Sequence, residues 1–209
     1  MKRFSWTVLC ILSAFVGLYP VIYFMIDRKF GLLSSKTAEL LNDNLWNIGF
    51  YGHIVPGGLA LLIGWLQFNN KLRKKNVKIH RVIGKAYVIS VLVSGICGLY
   101  IALFATGGII TKIGFSTLGI IWLSTTILGF IAIKKGNRVK HENYMIFSFA
   151  ACFAAVTLRV WLPVLTNVFG EFIPAYRIVS WLCWVPNLII AYFIVRNKNS
   201  KYKMTPKQI

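Results

Sequence analysis

Along the chain, apolar residues fall into six blocks, near 4–26, 48–68, 82–104, 113–133, 144–168 and 176–195. Each is about long enough to cross a hydrocarbon layer, which takes roughly 20 residues of helix. Short polar stretches separate them, and two of these, 69–81 and 134–143, are dense in lysine and arginine. The pattern predicts an all-α integral membrane bundle of six transmembrane helices, one domain over 1–195, followed by a basic cytoplasmic tail over 196–209. No connection is long enough to separate two independent bundles. The longest, 27–46, carries Leu33, Leu40, Leu41 and Leu45 at helical spacing, which predicts a short helix lying on the surface with these leucines toward lipid or protein.

The two basic stretches resemble one another. NVKIH lies between the second and third blocks and NRVKH between the fourth and fifth. Two helical hairpins joined by similar loops predict a pseudo-repeat, with the hairpins related by an axis along the membrane normal. His80 and His141 then sit level at one edge of the bundle.

Composition sharpens this picture. The 209 residues are 57% hydrophobic, hold only five acidic side chains and have a mean hydropathy of +0.66, more apolar surface than a water-soluble core of this size can hide. A net charge of +19 invites nucleic acid, but its distribution argues against that. Of 24 lysines and arginines, 17 fall in the N-terminus, the two basic loops and the tail, while four of the five acids (Asp27, Glu39, Asp43, Glu171) fall in the alternate loops. That asymmetry predicts both termini in the cytoplasm. Anionic lipid headgroups are the partner expected for the basic face. The first apolar block runs too long for a signal-peptide core and lacks a small-x-small cleavage site, so it reads as a retained span. Cys10, Cys97, Cys152 and Cys183 are scattered singly, which suggests packing rather than a disulfide framework or a zinc site. The sequence contains no nucleotide loop, Ser-His-Asp set or HExxH motif.

Helix periodicity then sorts the polar residues inside the spans. Arg159 stands 18 residues beyond His141, five turns on, with Tyr144, Ser148, Cys152 and Ala155 between them on one face. His80 shares a face with Gly84, Tyr87, Ser94 and Gly98, and His53 shares one with Gly57, Gly64 and Gln67. Three such small or polar stripes should face one another, since small residues admit close backbones and polar ones avoid lipid. Depth divides them in two. An outer candidate pocket comprises His53 and Arg159 with Pro56 and Pro163, each proline freeing a carbonyl four residues earlier. An inner candidate site comprises Gln67, Arg81, Lys85, Tyr87 and Tyr144 near His80 and His141. His53 lies too far along its helix to share a metal with the other two histidines, and no metal other than a haem iron is expected.

The stretches HIVPGGLALLIGWLQF, HRVIGKAY and the run from HENYM to LRVWLP resemble the bacterial membrane protein family called domain of unknown function 2306. The likeness covers the second through fifth blocks and implies a multi-span protein of the bacterial cytoplasmic membrane. Glu142 and Tyr144 depart from it, standing where the family pattern carries arginine and tryptophan. In plan the chain is also similar to membrane b-type cytochromes and ferric-reductase-like bundles, which hold haem between histidines on facing helices. That likeness implies at most one haem b, with His80 and His141 as ligands. The residues themselves leave two further functions open: binding or transport of a small anionic or quinone-like molecule at His53 and Arg159, or service as a partner in a membrane protein assembly.

Overall fold

The computed structural model describes residues 3–26 and 30–204. Among them, six helices are long and apolar enough to cross a membrane: Trp6–Met25, Asn44–Phe68, Val77–Ala102, Ile109–Lys134, Arg138–Phe169 and Phe172–Ser200, hereafter spans 1 to 6. The described residues contain no strand.

Several spans start earlier than hydropathy predicts, because polar caps start them. Asp43 accepts the Trp46 N–H at 2.7 Å, Asn76 that of Ile79 at 3.0 Å and Asn137 that of Lys140 at 3.0 Å. Each cap satisfies a donor that the first turn of a helix leaves orphaned. The helices of spans 3 and 5 therefore begin at Val77 and Arg138. His80 and His141 each occupy the fourth helical position, their amides donating to Asn76 O at 3.2 Å and Asn137 O at 3.0 Å. NVKIH and NRVKH are thus two helix starts with matching cap bonds.

Burial follows the logic of a bundle in lipid. The hydroxyls of Ser13, Ser90, Ser94, Thr111, Thr126, Ser148 and Ser180 are buried, while Phe15, Leu18, Ile89, Ile96 and Ile190 face outward. Hydroxyls inside and aliphatics outside is the reverse of the arrangement water favours. Spans 2 to 5 pack in succession, span 1 lies against span 2, and span 6 leans on spans 4 and 5. Span 1 reaches span 2 closely because a Cβ on Gly58 would stand 2.6 Å from the Gly17 carbonyl, so only glycine permits that approach.

Three spans are interrupted. Span 1 passes through a 3-10 turn at Tyr19–Val21, around Pro20; span 5 breaks between Cys152 and Ala154; span 6 breaks between Leu182 and Val185. The last two breaks clasp each other. Asn187 Nδ2 donates to Cys183 O at 3.0 Å and reaches Thr157 Oγ1 at 3.2 Å and Ala150 O at 3.3 Å, while the Thr157 hydroxyl donates to Cys183 O. Carbonyls released from the helical ladder are thereby re-satisfied from side chains, as lipid depth demands.

The segment before span 2 forms a cap across one end of the bundle, from a 3-10 turn (Gly31–Ser35) and a short helix (Ala38–Asn42). Leu33 and Leu41 are buried beside Tyr23, Trp46 and Phe50, with Leu40 packed alongside. Leu45, expected with them, points outward at 62% exposure. Asp43 caps span 2 at that point, and Leu45 lies in the first turn of that helix. At the chain's other end the helix Val185–Met204 runs past the predicted limit of 195, held by Lys198 on Glu142 at 2.5 Å and by Asn143 on Asn199 at 3.2 Å. Of the predicted tail, 205–209 lies outside the described residues, as does Asp27.

Candidate functional site

A chamber of about 240 Å³ lies among the six spans, and all six contribute to its wall. The interruptions of spans 1, 5 and 6 border it through Pro20, Cys152 with Ala154, and Cys183. Irregular backbone at membrane depth is tolerated where it lines a cavity, so breaks and cavity belong together. The wall is mainly apolar. Its polar members include Tyr23, Lys36, His53, Arg159 and Tyr176.

His53 is fixed by span 3. Its Nδ1–H donates to the Ser94 carbonyl at 2.9 Å, and the Ser94 hydroxyl donates back to the His53 carbonyl at 2.7 Å. Since a carbonyl only accepts, Nδ1 carries the hydrogen, and in the neutral ring Nε2 is left as an acceptor. Glycine at position 98 makes room, because a Cβ there would stand 2.7 Å from His53 Nδ1.

Arg159 lies across the chamber wall on span 5. Its guanidinium carbon sits 4.3 Å over the ring of Tyr19, and Nη1 donates to the Ala155 carbonyl at 2.9 Å. Its buried Nε has no partner. Among the described residues the ion pairs are those of Glu142 with Arg73 and Lys198, so the Arg159 charge has no described counter-ion. Desolvating a guanidinium in this way is costly, which is the general mark of a cation kept for function. Arg159 also lines a second, larger groove of about 870 Å³ with Tyr19, Tyr23 and Pro163. Pro56, inside span 2, is not on either wall, although its neighbours Gly57 and Gly58 line the chamber.

Lys36 closes the capped end. Its ammonium donates to Phe104 O at 2.6 Å and to Thr106 Oγ1 at 3.0 Å, tying the cap to the end of span 3. Burial, with Lys112 nearby, pushes this amine down to about 8.

The inner candidates do not converge on one site. Tyr87 is 1% exposed, and its hydroxyl is 2.8 Å from Ser148 Oγ, itself 2.7 Å from Thr126 Oγ1, so it bonds within the core where spans 3, 4 and 5 meet. Gln67 faces Gly84, where a Cβ would stand 3.1 Å from its Oε1, and its Nε2 is buried without a partner. Tyr144 is half-buried beside Gly129, whereas Arg81 and Lys85 are exposed. His141 Nδ1–H donates to Gly129 O at 2.9 Å, and His80 Nδ1 is buried without a partner. Neither the chamber nor the groove is lined by His80 or His141, so the geometry lends no support to haem between them. Glu142, the departure from the family pattern, accepts from Arg73 Nη1 at 2.7 Å and binds Lys198, joining the basic ends of the spans.

Sequence reasoning missed Tyr19, Tyr23, Trp46 and Lys36 as wall residues. The aromatics sit inside or beside apolar runs and read as core, and Lys36 reads as loop. The buried Nε1 of Trp46, also unpartnered, is invisible until the chain is folded.

A family model described as Predicted membrane protein (DUF2306) matches residues 50–195. The match includes His53 and Arg159, while Tyr19, Tyr23 and Lys36 lie before it. No curated protein and no solved structure matches the chain.

Proposed function

The chain belongs to the DUF2306 family of predicted membrane proteins, and from that premise we propose that it is a multi-pass membrane binding module whose chamber receives a small anionic or quinone-like molecule. The observation that carries this is Arg159, a half-buried cation without a described counter-ion, whose buried Nε lacks a partner and which borders a cavity. A ligand oxygen would accept from the guanidinium, and His53 Nε2, also on the chamber wall, would accept from a hydroxyl or take a proton. An apolar cavity with a few convergent polar groups is the usual form of a small-molecule site. The proposal includes orientation: both termini in the bacterial cytoplasm, as the concentration of cations at the basic ends supports. The matching capped starts at His80 and His141 support two repeated hairpins.

Thermal unfolding of the purified chain with a panel of short carboxylates and short-tailed quinones tests the binding. At least one chemistry should raise the midpoint of the unaltered protein and fail to do so for Arg159→Met. Equal shifts in both proteins would remove Arg159 from the site, and no shift from either class would remove the ligand chemistry.

A further inference from the structure

Arg159 belongs to two cavities at once. The chamber and the groove share Val16, Tyr23, Leu32, Leu158 and Arg159 in their walls, so the guanidinium stands where one passes into the other. The groove lies between span 1 and span 5, which meet only slightly because span 1 is drawn onto span 2 at Gly17 and Gly58. Its outer walls include Phe15, 73% exposed, and Val160, 51% exposed, together with exposed Pro163. In a chain that spans a membrane, such a surface faces acyl chains. The groove is therefore a side opening from lipid toward the chamber, with a cation and the two phenols of Tyr19 and Tyr23 at its inner end.

Sizes and charge suggest what fits. The chamber, at about 240 Å³, is smaller than most pockets that hold a whole drug-sized molecule, roughly 300–1,000 Å³, while the groove, at about 870 Å³, is larger and mainly apolar-walled. A compact charged head in the first and a hydrocarbon tail in the second would use both. Resting on the binding-module assignment above, we propose that the ligand is a single-tailed anionic lipid that enters sideways from the bilayer between spans 1 and 5. Its head pairs with Arg159 and its tail lies along Phe15, Val160 and Pro163. Glu171, next to the rim residues Gly170 and Phe172, is exposed and leaves the inner end of the groove positive. The charge selects the head, and the groove selects the tail by burying methylenes.

The test uses the full chain in nanodiscs of neutral lipid with three probes: dodecanoate, hexanoate and dodecanol. Dodecanoate should bind at least about tenfold tighter than either of the others, because it alone offers both tail and charge. Arg159→Met should abolish the preference for dodecanoate over dodecanol. Val160→Trp, which fills the groove, should abolish the preference for dodecanoate over hexanoate; Thr166→Trp, also on the groove wall, serves if the first variant does not fold. Equal binding of hexanoate and dodecanoate, both dependent on Arg159, would overturn sideways entry and keep the chamber as a binding site. Binding of dodecanoate and dodecanol alike, unaffected by Arg159→Met, would overturn both.

Discussion

Replacing Arg159 by methionine separates a cation kept for a ligand from one kept for the fold. The side chain's described contacts are one donated bond to Ala155 O at 2.9 Å and a stack 4.3 Å over Tyr19. A charge-assisted bond contributes about 1.5–3 kcal/mol and a cation–π contact at a half-exposed site about 0.5–1 kcal/mol, so the lost contacts amount to roughly 2–4 kcal/mol. Against this, a guanidinium within a span costs at least about 2.5–3.5 kcal/mol, which methionine recovers while keeping most of the volume. The two nearly cancel, and unfolding free energy should change by less than about 1.5 kcal/mol. By the slopes of soluble domains of this size, that is a midpoint shift within about 3–6 °C in either direction. The assay is thermal unfolding of ligand-free protein in detergent, followed by tryptophan fluorescence. A loss above about 4 kcal/mol, the size expected when a fully satisfied buried ion is broken, would refute the reasoning and make Arg159 a structural arginine.

Other expectations follow from the same geometry. Asn187→Leu removes the amide that clasps the breaks of spans 5 and 6 and should cost about 1–3 kcal/mol, from two hydrogen bonds at about 0.6 kcal/mol each up to the penalty for a buried carbonyl left unpaired; a midpoint change within error would count against the clasp. Gly98→Ala places a Cβ 2.7 Å from His53 Nδ1, so the ring must leave Ser94; destabilisation of about 1–3 kcal/mol together with weaker ligand binding is expected, and an unchanged protein would mean that spans 2 and 3 are less tightly joined. Lys36, held down to about 8 in the folded chain against 10.5 ordinarily, should be acylated half-maximally near pH 8 in a mass-spectrometric labelling series. Because its folded value lies below its unfolded one, its burial disfavours folding in full below about pH 8, and this penalty fades as pH rises toward 10.5, so stability should climb over that window. Lys36→Met should flatten the climb.

Much of the architecture can be read from residues alone, because six apolar runs need lipid and the loops alternate between strongly basic and near neutral. The helix starts cannot be read from hydropathy, since Asn76 and Asn137 look like loop residues until their side chains are seen to accept from the first turn. Pro20 marks one interruption and Pro186 lies just beyond another, but the break at Phe153 has neither proline nor glycine; its carbonyls are met from Thr157, one turn on, and from Asn187, on an element remote in sequence. His53 and Arg159 stand out by depth and chemistry, and the folded chain puts both on one chamber wall. The inner group shows the limit of such arithmetic. His80, Tyr87 and Lys85 lie close along one helix, yet the first is half-buried, the second is core and the third is exposed, because depth along a helix does not say which side a neighbour will cover.

The most direct measurement is native mass spectrometry of the full chain ejected from its own membranes. The unaltered protein and Arg81→Met, which changes only an exposed cation at the basic end, should each carry one anionic single-tailed lipid, and Arg159→Met should carry none. The same adduct on all three proteins, or on none, would contradict a ligand site built around Arg159.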